Sequence, residues 1–282
     1  FGIMVVILLG YLTYAALSKP DVQHERHTVF QYPQAILGML AIFVYVGVEV
    51  TIGSNLGEYL KKTENLDSSE ISKFVSLFWG SMMIGRWTAA IGNFNPSAAT
   101  KKILIWVVPF LAFGLVLFVN MLYSGHISDL LPYAVCIVAM ILAYIASREE
   151  PVRLLLIFTS LGAVMSIIGV LATGRVALFA LISGGLFCSV LWPCIFSLGT
   201  AGLGKFTNQA AALLIMMILG GSIIPVVQGK LSDVWNIQHS YLMATACFLY
   251  LFAFGIVTRR LLRLQGIDFD AEVAKGAGRS GH

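Results

Sequence analysis

Long apolar runs alternate along this chain with short polar and charged stretches, and each run is about as long as a bilayer crossing. A helix needs about 20 mostly apolar residues to cross a ~30 Å hydrocarbon core. That spacing predicts nine segments, at about 1–17, 34–60, 73–92, 103–123, 130–147, 153–173, 176–199, 207–229 and 239–260. The fifth is the shortest. Because backbone groups in lipid must be satisfied internally, these runs predict an all-α polytopic membrane protein.

The first run is already apolar at Phe1, with no initiator Met, no basic start and no small-residue cleavage site of the kind a signal peptide carries. Residues 1–17 are therefore expected to be the end of a spanning helix that begins upstream. Residues 18–33 then form a cytoplasmic loop, 34–260 the main transmembrane unit, and 261–282 a glycine- and charge-rich cytoplasmic tail expected to be disordered. Gly80, Gly85, Gly184, Gly185, Gly220 and Gly221 predict close helix crossings. Pro109, Pro193 and Pro225 predict bends within helices.

Composition agrees and narrows the class. Hydrophobic residues make up 58% and charged residues 11%, against about a quarter charged in a soluble domain. The 18 Lys and Arg against 14 Asp and Glu do not form a nucleic-acid footprint, because the basic residues divide unequally between alternate loops. Lys19, Arg26, Lys101, Lys102, Arg148, Arg153, Lys205, Arg259, Arg260 and Arg263 share one side, and Lys61, Lys62, Lys73, Arg175 and Lys230 the other. The excess of Lys and Arg places the first set, and the C-terminus, in the cytoplasm. The parity holds only if the short fifth segment spans. The four cysteines sit in apolar runs with no CxxC or metal spacing, as small space-fillers do. No HExxH, GxSxG, P-loop or histidine cluster is present, so neither an enzyme nor a resident metal or cofactor is expected.

Polar groups at membrane depth carry the candidate chemistry. A charge at the bilayer centre costs ~2.5–3.5 kcal/mol on insertion scales. Glu49 lies about 22 Å along its helix from the cytoplasmic start, so it faces either a polar cavity or a hydrogen-bonding neighbour helix. Tyr45 and Gly53 share its face, whereas Ser54 and Asn55 join that face only if the helix unwinds at Gly53. Arg86 falls about 9 Å above the cytoplasmic end of the next helix, and the same arithmetic leaves roughly 12 Å of depth between it and Glu49. No direct ion pair is expected, and Arg86 either snorkels to the headgroups or serves a site. Trp79 is expected level with Glu49, either facing a cavity, where an indole suits the apolar face of a sugar ring, or packing in lipid or core. Trp192-Pro193 marks a bend or a cavity wall. Gln228 and Lys230 are expected at the outer interface.

Three stretches resemble a known family in order along the chain. Tyr45-Val46-Gly47-Val48-Glu49-Val50-Thr51-Ile52-Gly53-Ser54 is similar to the seventh helix of the fucose:proton symporter family of the major facilitator superfamily. The stretch from Gly184 to Leu198, with Trp192-Pro193 in it, is similar to the tenth helix, and Ile218 to Asp233 to the eleventh with its following loop. The nearest branch is that of the bacterial glucose/galactose transporters. The resemblance implies the C-terminal part of a two-repeat fold with a midplane site between the repeats. It further implies hexose import by proton-coupled symport through alternating access, in a bacterial inner membrane, as a monomer completed by an N-terminal half. Tyr45, Glu49, Ser54, Asn55, Trp79 and Trp192 become the expected sugar-lining residues, with Glu49 and Arg86 as coupling or gating residues.

Two features depart from the pattern. Helices six to twelve of such a fold make seven spans rather than nine, and the surplus pair is assigned to about 101–147. Cys188 stands where the family has Asn, which removes an expected hydrogen bond to sugar. The resemblance also implies that the main acidic coupling residues lie in the first and fourth helices, leaving Glu49 to bind sugar hydroxyls. The rival readings are a transporter of the same build for a nucleoside or drug, and a non-transporting membrane scaffold or sensor.

Overall fold

A proline opens the central helix of the structure. In this computed structural model, which describes residues 28–124, 127–267 and 269, α1 runs Pro33–Thr63 with Pro33 at a first-turn position that needs no N–H. It ends before Asn65, whose backbone is left-handed (φ 52°), a conformation Asn tolerates at helix stops. The turn leads into α2 (Ser68–Ala90), followed by a single 3-10 segment, Ile91–Phe94. The expected first segment, most of the 18–33 loop and nearly all of the tail beyond 267 lie outside the described residues.

Next come α3 (Ala98–Ser124), α4 (Ala134–Ser147), α5 (Pro151–Leu171), α6 (Gly174–Cys188), α7 (Leu191–Thr200), α8 (Thr207–Met216), α9 (Gly220–Val234), the one-turn α10 (Ile237–Ser240) and α11 (Leu242–Leu264). Among the described residues six helical stretches are long and apolar enough to cross a membrane, or seven if α6 and α7 count as one bent span. The 3-10 turn Ser128–Tyr133 runs into α4 and lengthens the short fifth segment to a span of 20 residues, Ser128–Ser147. Helix α2 is the eighth stretch. It is fully formed but falls below that apolarity, with Lys73 and Arg86 within it.

The core is built around α1, which packs on α2, α6, α7, α9 and α11, while α5 joins α6 to α11. Ile42, Tyr45, Ile52, Leu56 and Tyr59 of α1 are all buried. In lipid such packing draws on van der Waals contact and small residues rather than on apolar transfer. At Gly220 a β-carbon would run into the Phe43 backbone carbonyl, so only glycine lets α9 begin against α1. At Gly85 it would meet the Ser189 side chain, so glycine there sets how closely α2 approaches the end of α6.

Helices α3 and α4 lie at the edge. A third of the α3 span is buried, against 72% of α1, and the main neighbours of the pair are α2, α5 and α6. Ion pairs hold both ends of the pair to its neighbours. At one end Asp129 accepts from Lys73 of α2 (3.0 Å) and Arg175 of α6 (2.7 Å), and at the other Lys101 meets Glu149 at 2.6 Å. In between, the Tyr133 and Ser81 hydroxyls share a buried hydrogen bond of 2.7 Å.

Candidate functional site

Two helical faces and one helix break converge on a single cleft. Tyr45 and Glu49 are four residues apart on α1 and so share a face. Arg86 comes from α2, one residue after the glycine that lets α2 close on Ser189. The third wall is the junction of α6 and α7, where the chain bends by about 40°. Pro193 explains the bend, because it has no N–H to offer the carbonyl four residues back, at Ser189. The cleft encloses about 700 Å³ and is completed by Val46, Ala89, Ala90, Asn93, Val190, Trp192, Pro193 and Ile218.

Arg86 Nη2 donates to Glu49 Oε1 at 3.3 Å. The Glu49 side chain is 14% exposed and that of Arg86 54%, so the carboxylate sits deep and the guanidinium stands toward the open end. Beside them Tyr45 is buried, and its hydroxyl lies near both charges with no hydrogen-bond partner in good geometry. The Trp192 ring meets Tyr45 edge-on, with centroids 6.0 Å apart. Five guanidinium N–H donors and two carboxylate oxygens exceed what one mutual bond uses. The cleft therefore offers both donors and acceptors to a hydroxyl-rich ligand beside an aromatic wall. Pairing also lowers the cost of holding either charge at this depth. Among the described residues no group of three His, Cys, Asp or Glu could hold a metal.

The ion pair corrects the depth arithmetic. Span ends alone put position 92 level with 34, but the turn around Asn65 sets the true register and makes α1 position 49 level with about position 82. Arg86 is then about one turn away, within reach of its long side chain. The same shift moves Trp79 outward, so that it stands against Gly53 rather than level with Glu49. Trp79 is half exposed and is not part of the cleft wall.

Ser54 and Asn55 are also not brought to the cleft, because α1 continues through Gly53 without unwinding. Ser54 Oγ donates to the Val50 carbonyl at 2.7 Å. Asn55 donates to Gln228 Oε1 at 3.2 Å, and Gln228 in turn donates to Ser240. Gln228 is thus a buried link between α1, α9 and α10 rather than an interface residue. Cys188 is buried and does not line the cleft. Of the expected residues, Tyr45, Glu49, Arg86 and Trp192 come together. Ser189 and Asn93 join them without having been singled out. Pro193 could have pointed to Ser189, whereas Asn93 lies in a polar connection with no distinguishing signal.

No family model matches the chain. It is 30% identical over 256 residues to a glucose/galactose transporter of Brucella abortus, covering 87% of this chain and 49% of that protein. It is 31% identical over 266 residues to a putative glucose/galactose transporter of Helicobacter pylori, covering 90% and 52%. An L-fucose-proton symporter of Escherichia coli matches at 34% over 113 residues, 40% of this chain and 26% of that one. Over most of its length the chain is thus similar to proteins named glucose/galactose transporter, and over a shorter stretch to a fucose-proton symporter. Its fold is that of the major facilitator superfamily. Two crystal structures of the fucose:proton symporter FucP superpose on it with TM-scores of 0.58 and 0.57, at 22% and 23% identity, over 80% of this chain and 42% of theirs. The chain spans about half the length of the curated relatives it matches.

Proposed function

We propose that the complete protein imports a hexose of the glucose, galactose or fucose type by proton-coupled symport, and that the cleft between α1, α2 and the α6–α7 bend forms this segment's share of the sugar site. The observation that carries this reading is the Glu49–Arg86 pair set beside Tyr45 and Trp192 in one cleft. Relatives named for glucose, galactose and fucose supply the substrate class, and the symporter supplies the coupling ion. Carboxylate and guanidinium hold sugar hydroxyls while Trp192 covers an apolar ring face. Alternating access then moves the site between two sides as the halves rock about it, and ligand and proton shift the population between outward- and inward-facing states.

In this reading α3 and α4 are the pair additional to the six helices of a repeat, consistent with their place at the edge. The C-terminus lies in the cytoplasm of a bacterial inner membrane, from the distribution of Lys and Arg, and the working unit is a monomer. A drug carrier would be better served by an apolar aromatic cleft, and no described feature favours a scaffold.

Uptake of labelled glucose, galactose and fucose into vesicles bearing the complete protein tests the proposal. Accumulation of at least one sugar that a protonophore abolishes is the expected result. Uptake no greater than in empty vesicles for all three would overturn it.

A further inference from the structure

A second concavity opens on the lipid-facing side, between the first turns of α3 and the end of α4. It encloses about 900 Å³, and its polar lining is Lys101, Lys102, Arg148, Glu149, Tyr144 and Trp106. Three cations face one carboxylate. Glu149 is engaged by Lys101 at 2.6 Å, whereas Lys102 and Arg148 have no carboxylate partner among the described residues.

Two local features set these cations against their own backbone. Lys101 and Lys102 stand near the N-terminus of α3, where the helix dipole disfavours positive charge. Arg148 follows α4 with a left-handed backbone (φ 53°), and Glu149 repeats it (φ 60°). Non-glycine residues rarely adopt this conformation. An anion in the groove would meet two free cations and the positive end of α3 together.

Beneath the charges the groove wall turns apolar and stays uncovered. Ile103, Val107 and Ile145 are 63%, 42% and 45% exposed. Trp106, 41% exposed, shares this uncovered wall with them, and the buried Tyr144 closes its floor. Cations at the helix ends with an uncovered apolar wall running on from them match the phosphate and acyl chains of a phospholipid.

We propose that this groove binds one anionic phospholipid, its phosphate held by Lys102 and Arg148 and its acyl chains laid along α3 and α4. The excess of cations selects an anionic lipid over a zwitterionic one, as basic pockets between transmembrane helices do. The inference stands independently of what the transporter carries.

The test is native mass spectrometry of the complete protein titrated with phosphatidylglycerol and, separately, phosphatidylethanolamine. Phosphatidylglycerol is expected to bind more tightly. The Lys102→Gln/Arg148→Gln protein is expected to lose about thirtyfold in affinity for it, roughly fivefold per cation removed. A Lys61→Gln/Lys230→Gln protein, which loses the same charge at the opposite end of the bundle, keeps wild-type binding. Equal binding of the two lipids, or unchanged phosphatidylglycerol binding in the first variant, overturns the proposal. If that variant does not fold, photoreactive phosphatidylglycerol on the wild type decides the matter. Labelling of α3 and α4 peptides supports the site, and labelling only elsewhere refutes it.

Discussion

Replacing Glu49 by Gln in the complete protein separates the two roles its position allows. The substitution keeps the shape and one acceptor but removes the charge. It loses the charge attraction to Arg86, which acts through a single contact of 3.3 Å to a guanidinium that is 54% exposed. With one partner more than half exposed, the pair contributes about 1 kcal/mol after screening. A hydrogen bond from a sugar hydroxyl to a charged acceptor contributes ~1.5–3 kcal/mol, or about ten- to a hundredfold in affinity. The expected outcome is therefore a large loss of sugar affinity with a small loss of stability. Saturation of labelled-hexose uptake in vesicles gives the first quantity, and thermal unfolding of the detergent-solubilised protein gives the second. A protein that is strongly destabilised yet binds sugar with unchanged affinity would refute the assignment and make Glu49 a structural carboxylate.

Trp192→Ala should raise the half-saturating sugar concentration about tenfold by removing an aromatic wall, and Trp192→Phe should restore part of the loss; both are read in the same uptake assay. Asn55→Ala should cost about 1 kcal/mol of stability through the lost bond to Gln228 and leave sugar affinity unchanged, a split that compares thermal unfolding with uptake. Gly220→Val should destabilise by at least ~1–3 kcal/mol, because its new atoms overlap the Phe43 backbone, which cannot step aside as a side chain could. Thermal unfolding and the yield of monodisperse protein report that change.

Much of the helix pattern was legible before any coordinates, for a physical reason. A segment that must satisfy its backbone in lipid shows itself as a long apolar run, and each of the eight runs from 34 onward lies in helical structure. The bend at Trp192-Pro193 was likewise signalled by a missing N–H. Depth was not legible. It depends on where the chain turns, and the left-handed stop at Asn65 lies well past the last apolar residue that marks the span. The register set by that stop is what brings Arg86 to Glu49 and carries Trp79 outward to Gly53. The expectation for Ser54 and Asn55 fails because their helical angle points them elsewhere, and their hydrogen bonds show where they are used. Asn93 escaped notice because a polar residue in a connecting turn has no feature that distinguishes a cleft wall from ordinary solvent exposure.

The most direct test is a structure of the complete protein with a bound hexose. The account predicts density for the sugar against Trp192, with hydroxyls within hydrogen-bond distance of Glu49 and Arg86. A hexose seated outside this cleft, for example against Trp79 with the Glu49–Arg86 pair untouched, would contradict it.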